Sequence, residues 1–171
     1  SENKSEKYNE CIREFIDQKF YKRLFVSNPS TYFSITFTMK QTLNDMKLDE
    51  INFSQDFRHF MNRLNQSFLK SSFRRYNKRL TVIPIKEGSV KTHTHYHCVI
   101  DNPYPDRDKE FVQLVKDSWG KTLLGFSKSK YSIDIQPMYS NGWIEYMTKC
   151  SSKTDIKDSV DWDNLYLPPV G

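Results

Sequence analysis

An α+β fold, an antiparallel sheet with helices packed on one face, is what this 171-residue sequence predicts. Three observations carry the prediction. Several stretches alternate apolar and polar residues with the period of a β-strand, long intervening stretches repeat apolar residues every three or four positions, and the two kinds follow in the order strand, helix, strand, strand, helix, strand.

Ahead of that series, Ser5 to Phe25 places Cys11, Ile12, Phe15, Ile16, Phe20 and Leu24 at helical spacing, and Asn28-Pro29-Ser30 stops it, so residues 1–30 read as a helical extension. The first strand is TYFSITFTM, Thr31 to Met39, where Phe33, Ile35, Phe37 and Met39 alternate with Ser34, Thr36 and Thr38. A long helix is predicted from Phe53 to about Asn77 through Phe57, Phe60, Met61, Leu64 and Phe68, with basic residues between them. Arg79 to Glu87 is rich in β-formers, and Gly88-Ser89-Val90-Lys91 links it to HTHYHCVI, His93 to Ile100, as an antiparallel hairpin. Pro84 places the first hairpin strand at a sheet edge, because proline has no N–H to give a central ladder.

Asn102-Pro103-Tyr104-Pro105 then punctuates the chain, and Asp106 to Trp119 reads as a second crossover helix. Tyr131 to Pro137 is the last alternating strand. Ser140 and Asn141 can cap a short helix from Gly142 to about Lys149, and residues 151–171 form a tail with little periodicity. This order is that of the split βαβ, ferredoxin-like or RRM-like sheet: first and third strands side by side in the centre, both crossover helices on one face, the other face open. Residues 1–171 are expected to form one domain. The chain begins at Ser1 without Met and stops soon after Leu167-Pro168-Pro169, which reads as a domain excised from a longer protein.

Twenty-six Lys and Arg against 21 Asp and Glu leave the chain basic, which suits an anionic partner, and 10 Tyr and 12 Phe supply both a core and faces on which bases can stack. Cys11, Cys98 and Cys150 lie far apart with no CxxC pair, which argues against a disulfide framework and a cysteine zinc site and points to a reducing, intracellular setting. No long apolar run or signal peptide argues for a membrane partner or a secretory route.

Strand parity places the polar residues. With Tyr96, Cys98 and Ile100 under the helices, His93, His95 and His97 fall on the other face beside Ser34, Thr36 and Thr38, and Asp134 and Gln136 join them from the last strand. Histidines at alternate positions of one strand bring imidazole nitrogens within reach of one divalent ion. Glu87 is the best carboxylate for a third ligand: through a five-residue connection it would oppose His93 and lie diagonal to His95, through a four-residue one it would fall on the other face. His93 is the rival third ligand. Two histidines and a carboxylate suit Mn²⁺ or Mg²⁺, three histidines suit Zn²⁺. Tyr146 and Lys149, three apart, share a face of the short final helix.

The Ile35-Thr36-Phe37-Thr38 strand, His95-Tyr96-His97 as His-hydrophobic-His, and Tyr146-x-x-Lys149 together resemble the three ordered motifs of the HUH endonucleases, over roughly Thr31 to Cys150. Their order is that of the replication-initiator (Rep) branch. With no second tyrosine three to five residues from Tyr146, the resemblance is to the single-tyrosine type. It implies that His95 and His97 bind Mn²⁺ or Mg²⁺ with Glu87, that Tyr146 attacks a phosphodiester to leave a 5′-phosphotyrosine, and that Lys149 supplies positive charge at the transition state or orients metal-bound water. His93 departs from the pattern as an extra histidine.

The implied partner is single-stranded DNA, a replication origin or an element end, as a free strand or a hairpin, with a fused or separate helicase beside it. The setting is the cytoplasm of a prokaryotic host, or the nucleus for a eukaryotic or viral protein. Thr36 and Thr38 are expected to contact DNA or support the histidines, and Arg58, Arg63, Arg74, Arg75, Lys78 and Arg79 are candidates to contact phosphates. Two other readings compete: an RRM-like binding module, disfavoured because His and Thr stand where stacking aromatics are expected, and a zinc hydrolase using all three histidines.

Overall fold

The computed structural model describes residues 31–89, 92–123, 133–138 and 160–166, with the backbone alone at 87–89 and 92–94. The predicted N-terminal helix, the final helix with Tyr146 and Lys149, and most of the tail lie outside the described residues.

The architecture is α+β. A four-stranded antiparallel sheet is formed by β1 (Thr31–Thr38), β4 (Val82–Ser89), β5 (Thr92–Asn102) and β6 (Ile133–Met138) in the spatial order β4-β5-β1-β6. The two central strands are therefore β1 and β5. Helices α1 (Glu50–Leu69) and α3 (Asp108–Gly120) follow β1 and β5 respectively, and a six-residue helix α2 (Ser71–Tyr76) trails α1.

One face of the sheet makes the core, because alternate strand residues and the apolar stripes of both long helices converge on it. Phe33, Ile35 and Phe37 of β1 and Tyr96, Cys98 and Ile100 of β5 pack with Phe57, Phe60 and Leu64 of α1 and Phe111, Val115 and Trp119 of α3. Phe37 is the hub: its ring centroid lies 5.7 Å from Phe57, 4.9 Å from Phe60 and 4.6 Å from Trp119. Offset and edge contacts of this kind add to the gain from burying the rings themselves.

α1 begins at Glu50, three residues ahead of the expected Phe53, because Asp49 caps it. The Asp49 carboxylate accepts from the Asn52 N–H at 2.9 Å, and the Asn52 side-chain oxygen accepts in return from the Asp49 N–H at 3.1 Å. The single helix expected from Phe53 to Asn77 is in fact broken at Lys70, whose φ of 49° takes the chain out of the helix. α2 ends in turn at Asn77, φ 51°, a left-handed position that asparagine tolerates. The sequence reading passed over a small hairpin, β2 (Thr42–Leu43) and β3 (Met46–Lys47), which turns through Asn44 and Asp45 at φ 50° and 63°. The second crossover helix opens with a 3-10 turn, Pro105–Arg107, before α3.

β4 is an edge strand of the sheet, as Pro84 required, and residues 160–166 run along its outer side. Val82 exchanges backbone hydrogen bonds with Tyr166 at 3.0 and 3.1 Å, and the Pro84 carbonyl accepts from the Asp161 N–H at 3.0 Å. The nitrogen of Pro84 thus faces the same outer side, where no ladder partner on β5 is deprived of a donor. Asp161 anchors this segment from beneath: it accepts from the hydroxyls of buried Tyr96 at 3.0 Å and Ser54 at 3.2 Å and from the Asn164 side-chain amide at 2.7 Å. Burial and the adjacent Asp161 carboxylate push the Tyr96 phenol well above its ordinary pKa, so it stays a neutral donor.

The other face of the sheet divides in two, which corrects the expectation that it stays open throughout. Toward β4 it is apolar and closed, with Ile83, Ile85 and Val99 each at most 2% exposed, because large apolar side chains on that half are costly to leave in water. Over β1 and β6 it is polar: Ser34, Thr36 and Thr38 are half-buried, Asp134 and Gln136 exposed. Among the described residues no helix is long and apolar enough to cross a membrane.

Candidate metal centre

Two rungs of the central strand pair build the site. The β1–β5 register sets Thr36 directly opposite His97 and Thr38 directly opposite His95, so each threonine and its histidine share the second face at the distance of a cross-strand pair. The threonine hydroxyls meet the near nitrogens of the rings, Thr36 Oγ1 to His97 Nδ1 at 3.1 Å and Thr38 Oγ1 to His95 Nδ1 at 3.3 Å. Both imidazoles are half-buried, with ring centroids 6.4 Å apart and planes 31° from parallel. This is the spacing of alternate residues on one strand, about 6.7 Å.

A threonine hydroxyl can accept from Nδ1–H or donate to an unprotonated Nδ1, so the contact is compatible with either tautomer. A hydroxyl that accepts from Nδ1–H leaves Nε2 as the basic nitrogen, the one a cation would bind, and a side-chain partner at Nδ1 is the usual orienting contact of a ligating histidine. Tyr96, between the two histidines, sits on the opposite face at 0% exposure with its ring 5.0 Å from Phe57, so it locks the strand's parity from the core side.

The carboxylate position differs from the expectation. Glu87 stands directly opposite His95 in the β4–β5 register, neither opposite His93 nor on the far face. The cause is a bulge between Glu87 and Ser89, after which Ser89 pairs with Thr92 and the ladder runs almost to the turn. One rung therefore carries Glu87, His95 and Thr38 across three strands, and the next carries Ile85, His97, Thr36 and Asp134 across four. His93 lies two residues before His95 in β5, within the stretch where the β4–β5 register shifts. Among the described residues no three His, Cys, Asp or Glu side chains come together as a metal-binding group, and the side chains of Glu87 and His93 lie outside them.

No protein-family model, no curated protein and no solved structure matches the chain. The site therefore rests on its own chemistry. Two strand-borne histidines with hydroxyl partners at Nδ1 stand on neighbouring rungs, beside a rung position held by a glutamate, and imidazole and carboxylate are donor types that divalent cations take. A shared ion at about 2.1 Å from each nitrogen would draw the two rings somewhat closer than they stand.

Arg74, Arg75, Lys78 and Arg79 lie away from the histidines. β4 starts at Val82, opposite Ile100, so these residues precede the end of the sheet remote from His95, about 17 Å along β5. Arg79 is held there by Asn77 at 3.2 Å and Asn62 at 3.3 Å, with its guanidinium 5.1 Å from the centre of the Phe73 ring, while Arg74, Arg75 and Lys78 are exposed.

Sequence reasoning missed Asp101, which shares the histidine face at the far end of β5. It is half-buried beside Tyr32, accepts from the Thr81 N–H at 2.8 Å, and is pushed up to about 7 by burial, an effect that hydrogen bonds from Thr81 oppose. Its signal was available: Asp101 continues the odd-numbered parity of His95 and His97, directly after the apolar run Cys98-Val99-Ile100.

Proposed function

We propose that the chain is a metal-dependent endonuclease of the HUH type that nicks and rejoins single-stranded DNA through Tyr146. The observation that carries this reading is the pair of Thr–His rungs, which orients two neighbouring imidazoles alike on the central strand of the sheet. The strand order β4-β5-β1-β6, with crossover helices after β1 and β5, supports a ferredoxin-like split βαβ arrangement beneath the site.

His95 and His97 would hold Mn²⁺ or Mg²⁺ through Nε2, with Glu87 as third ligand, since its register position directly opposes His95. His93 is the competing candidate. The bound cation supplies positive charge against the non-bridging oxygens of the scissile phosphate. In the tautomer that leaves Nε2 to the cation, Thr36 and Thr38 would accept from Nδ1–H of the two rings, so that the ligand set is ordered before DNA arrives. Tyr146 oxygen then attacks phosphorus, the bond from phosphorus to the 3′-oxygen breaks, and the tyrosine proton passes to the departing 3′-hydroxyl, leaving a 5′-phosphotyrosine. The reverse reaction rejoins a strand. Lys149 supplies charge near the transition state. β6 ends at Met138 on the Tyr32 rung, about 13 Å from the His97 rung, and Tyr146 follows it closely in the sequence.

A pool of labelled single-stranded oligonucleotides with Mn²⁺ tests the proposal. The intact chain should release a shorter 3′-hydroxyl product and rejoin it to a second strand. His97→Ala should abolish cleavage, and Thr36→Val should lower metal affinity or cleavage about 10- to 100-fold while the ring remains. A chain that cleaves no member of the pool with either Mn²⁺ or Mg²⁺ contradicts the reading.

A further inference from the structure

β5, which carries the histidines, and β4, which carries Glu87, are both fastened by one short stretch of chain, residues 160–166. Val160 bridges to Ile85, the β4 residue that stands opposite His97, so the His97 rung is continued outward past the edge of the sheet. Its neighbour Asp161 gives its N–H to the Pro84 carbonyl at 3.0 Å, and its carboxylate accepts from the Tyr96 hydroxyl at 3.0 Å. Tyr96 is the residue between His95 and His97.

Asp161 is 4% exposed and Tyr96 0%. A carboxylate in such a place is costly unless donors satisfy it. Here the donors are the Tyr96 hydroxyl, the Ser54 hydroxyl of α1 at 3.2 Å and the Asn164 side-chain amide at 2.7 Å. Asn164 is fixed in turn by donating to the Ser54 carbonyl at 2.9 Å and the Ser54 hydroxyl at 3.1 Å. The ring of Tyr96 packs 5.0 Å from that of Phe57, and a phenylalanine would fill this space as well. What the hydroxyl adds is a tie to a polar network, and a satisfied network in a dry interior rigidifies the elements it joins.

Successive residues of a strand point to opposite faces and stand only about 3.8 Å apart, so a displacement or twist at Tyr96 moves both imidazoles. At this point β5 is gripped from both faces, by the Thr36 and Thr38 hydroxyls at the two rings and by Asp161 at the tyrosine between them. Ligands of one cation need to be held to about 0.5 Å, a tolerance that the supporting shell sets.

We propose that Asp161 is a positioning residue for the histidine pair, acting through Tyr96 to hold the stretch of β5 that carries both rings. The proposal rests on the reading of His95 and His97 as metal ligands, and its test needs neither DNA nor cleavage.

Mn²⁺ affinity is measured by calorimetric titration of the full chain for the parent, Tyr96→Phe, Asp161→Ala, Asp161→Asn and Ser54→Ala, at a temperature where thermal unfolding shows each protein to be folded. Tyr96→Phe and Asp161→Ala should each weaken Mn²⁺ binding about tenfold, as removal of groups that orient ligating histidines does. Tyr96→Phe keeps the ring and removes one oxygen, so it is decisive even where Asp161→Ala does not fold. Asp161→Asn retains an oxygen to accept from the Tyr96 hydroxyl and should bind within about threefold of the parent. Ser54→Ala deletes a different donor to the same carboxylate; it should lower the unfolding midpoint and leave Mn²⁺ affinity near that of the parent, which separates positioning from stability. Mn²⁺ binding by Tyr96→Phe equal to that of the parent would overturn the proposal and leave the metal reading in place, and so would a loss in Ser54→Ala as large as that in Tyr96→Phe. A parent that binds no Mn²⁺ would overturn both.

Discussion

At the scale of single residues, strand parity assigns opposite duties to neighbours. His95 and His97 meet threonine hydroxyls on one face while Tyr96 between them is sealed in the core and donates to Asp161. The identities of these neighbours were legible, because alternation on a strand fixes faces without any knowledge of the rest of the chain. The partner of Tyr96 was not, since Asp161 is 65 positions away and a single aspartate in an aperiodic tail carries no signal of what it meets.

Asp101 gives this scale its measurable pH effect. Its carboxyl titrates at about 7 in the folded protein. The same group in an unfolded chain titrates near 3.9. Between the two values the folded state binds more protons than the unfolded state, so this group makes stability fall as pH rises through that window. Below about pH 4 both states hold the proton, above about pH 7 both have released it, and the contribution is level on either side. Urea unfolding from pH 4 to 8 should therefore show a smaller decline for Asp101→Asn, which keeps an oxygen to accept from Thr81, than for the parent. Parallel profiles for the two proteins would show that Asp101 is not responsible.

At the scale of elements, the sheet strands and crossover helices were legible from periodicity, and their boundaries less so. The start of α1 depends on Asp49 and Asn52 completing a reciprocal cap, with asparagine where glutamate or glutamine is the commoner signal. Asp49→Ala should cost about 1 kcal/mol and lower the urea midpoint without changing the slope of the transition. No loss of stability would mean that the cap does not hold the helix start. The break at Lys70 was hidden because lysine is a good helix former, and nothing in its type announces a positive φ. Register was equally hidden at the β4–β5 hairpin: one bulged residue moves Glu87 to the rung of His95, and no pattern of apolar residues encodes a bulge.

At the scale of the molecule, the two faces of the sheet differ in what they carry. The helical face concentrates the aromatic core, with Phe37 in contact with Phe57, Phe60 and Trp119, while the second face carries the histidine rungs over β1 and β5 and a closed apolar half toward β4. That closed half was unreadable in advance, because Ile83, Ile85 and Val99 look the same in sequence whether the face they occupy is covered or bare.

The central claim is that the histidine rungs serve a tyrosine that becomes covalently joined to DNA. Its most direct test is peptide mapping by mass spectrometry after the chain has reacted with single-stranded DNA and Mn²⁺ and been digested. The account predicts a nucleotide attached through a 5′-phosphate to Tyr146, absent from Tyr146→Phe and from His97→Ala. A nucleotide on another residue, or an adduct that persists in Tyr146→Phe, would contradict it.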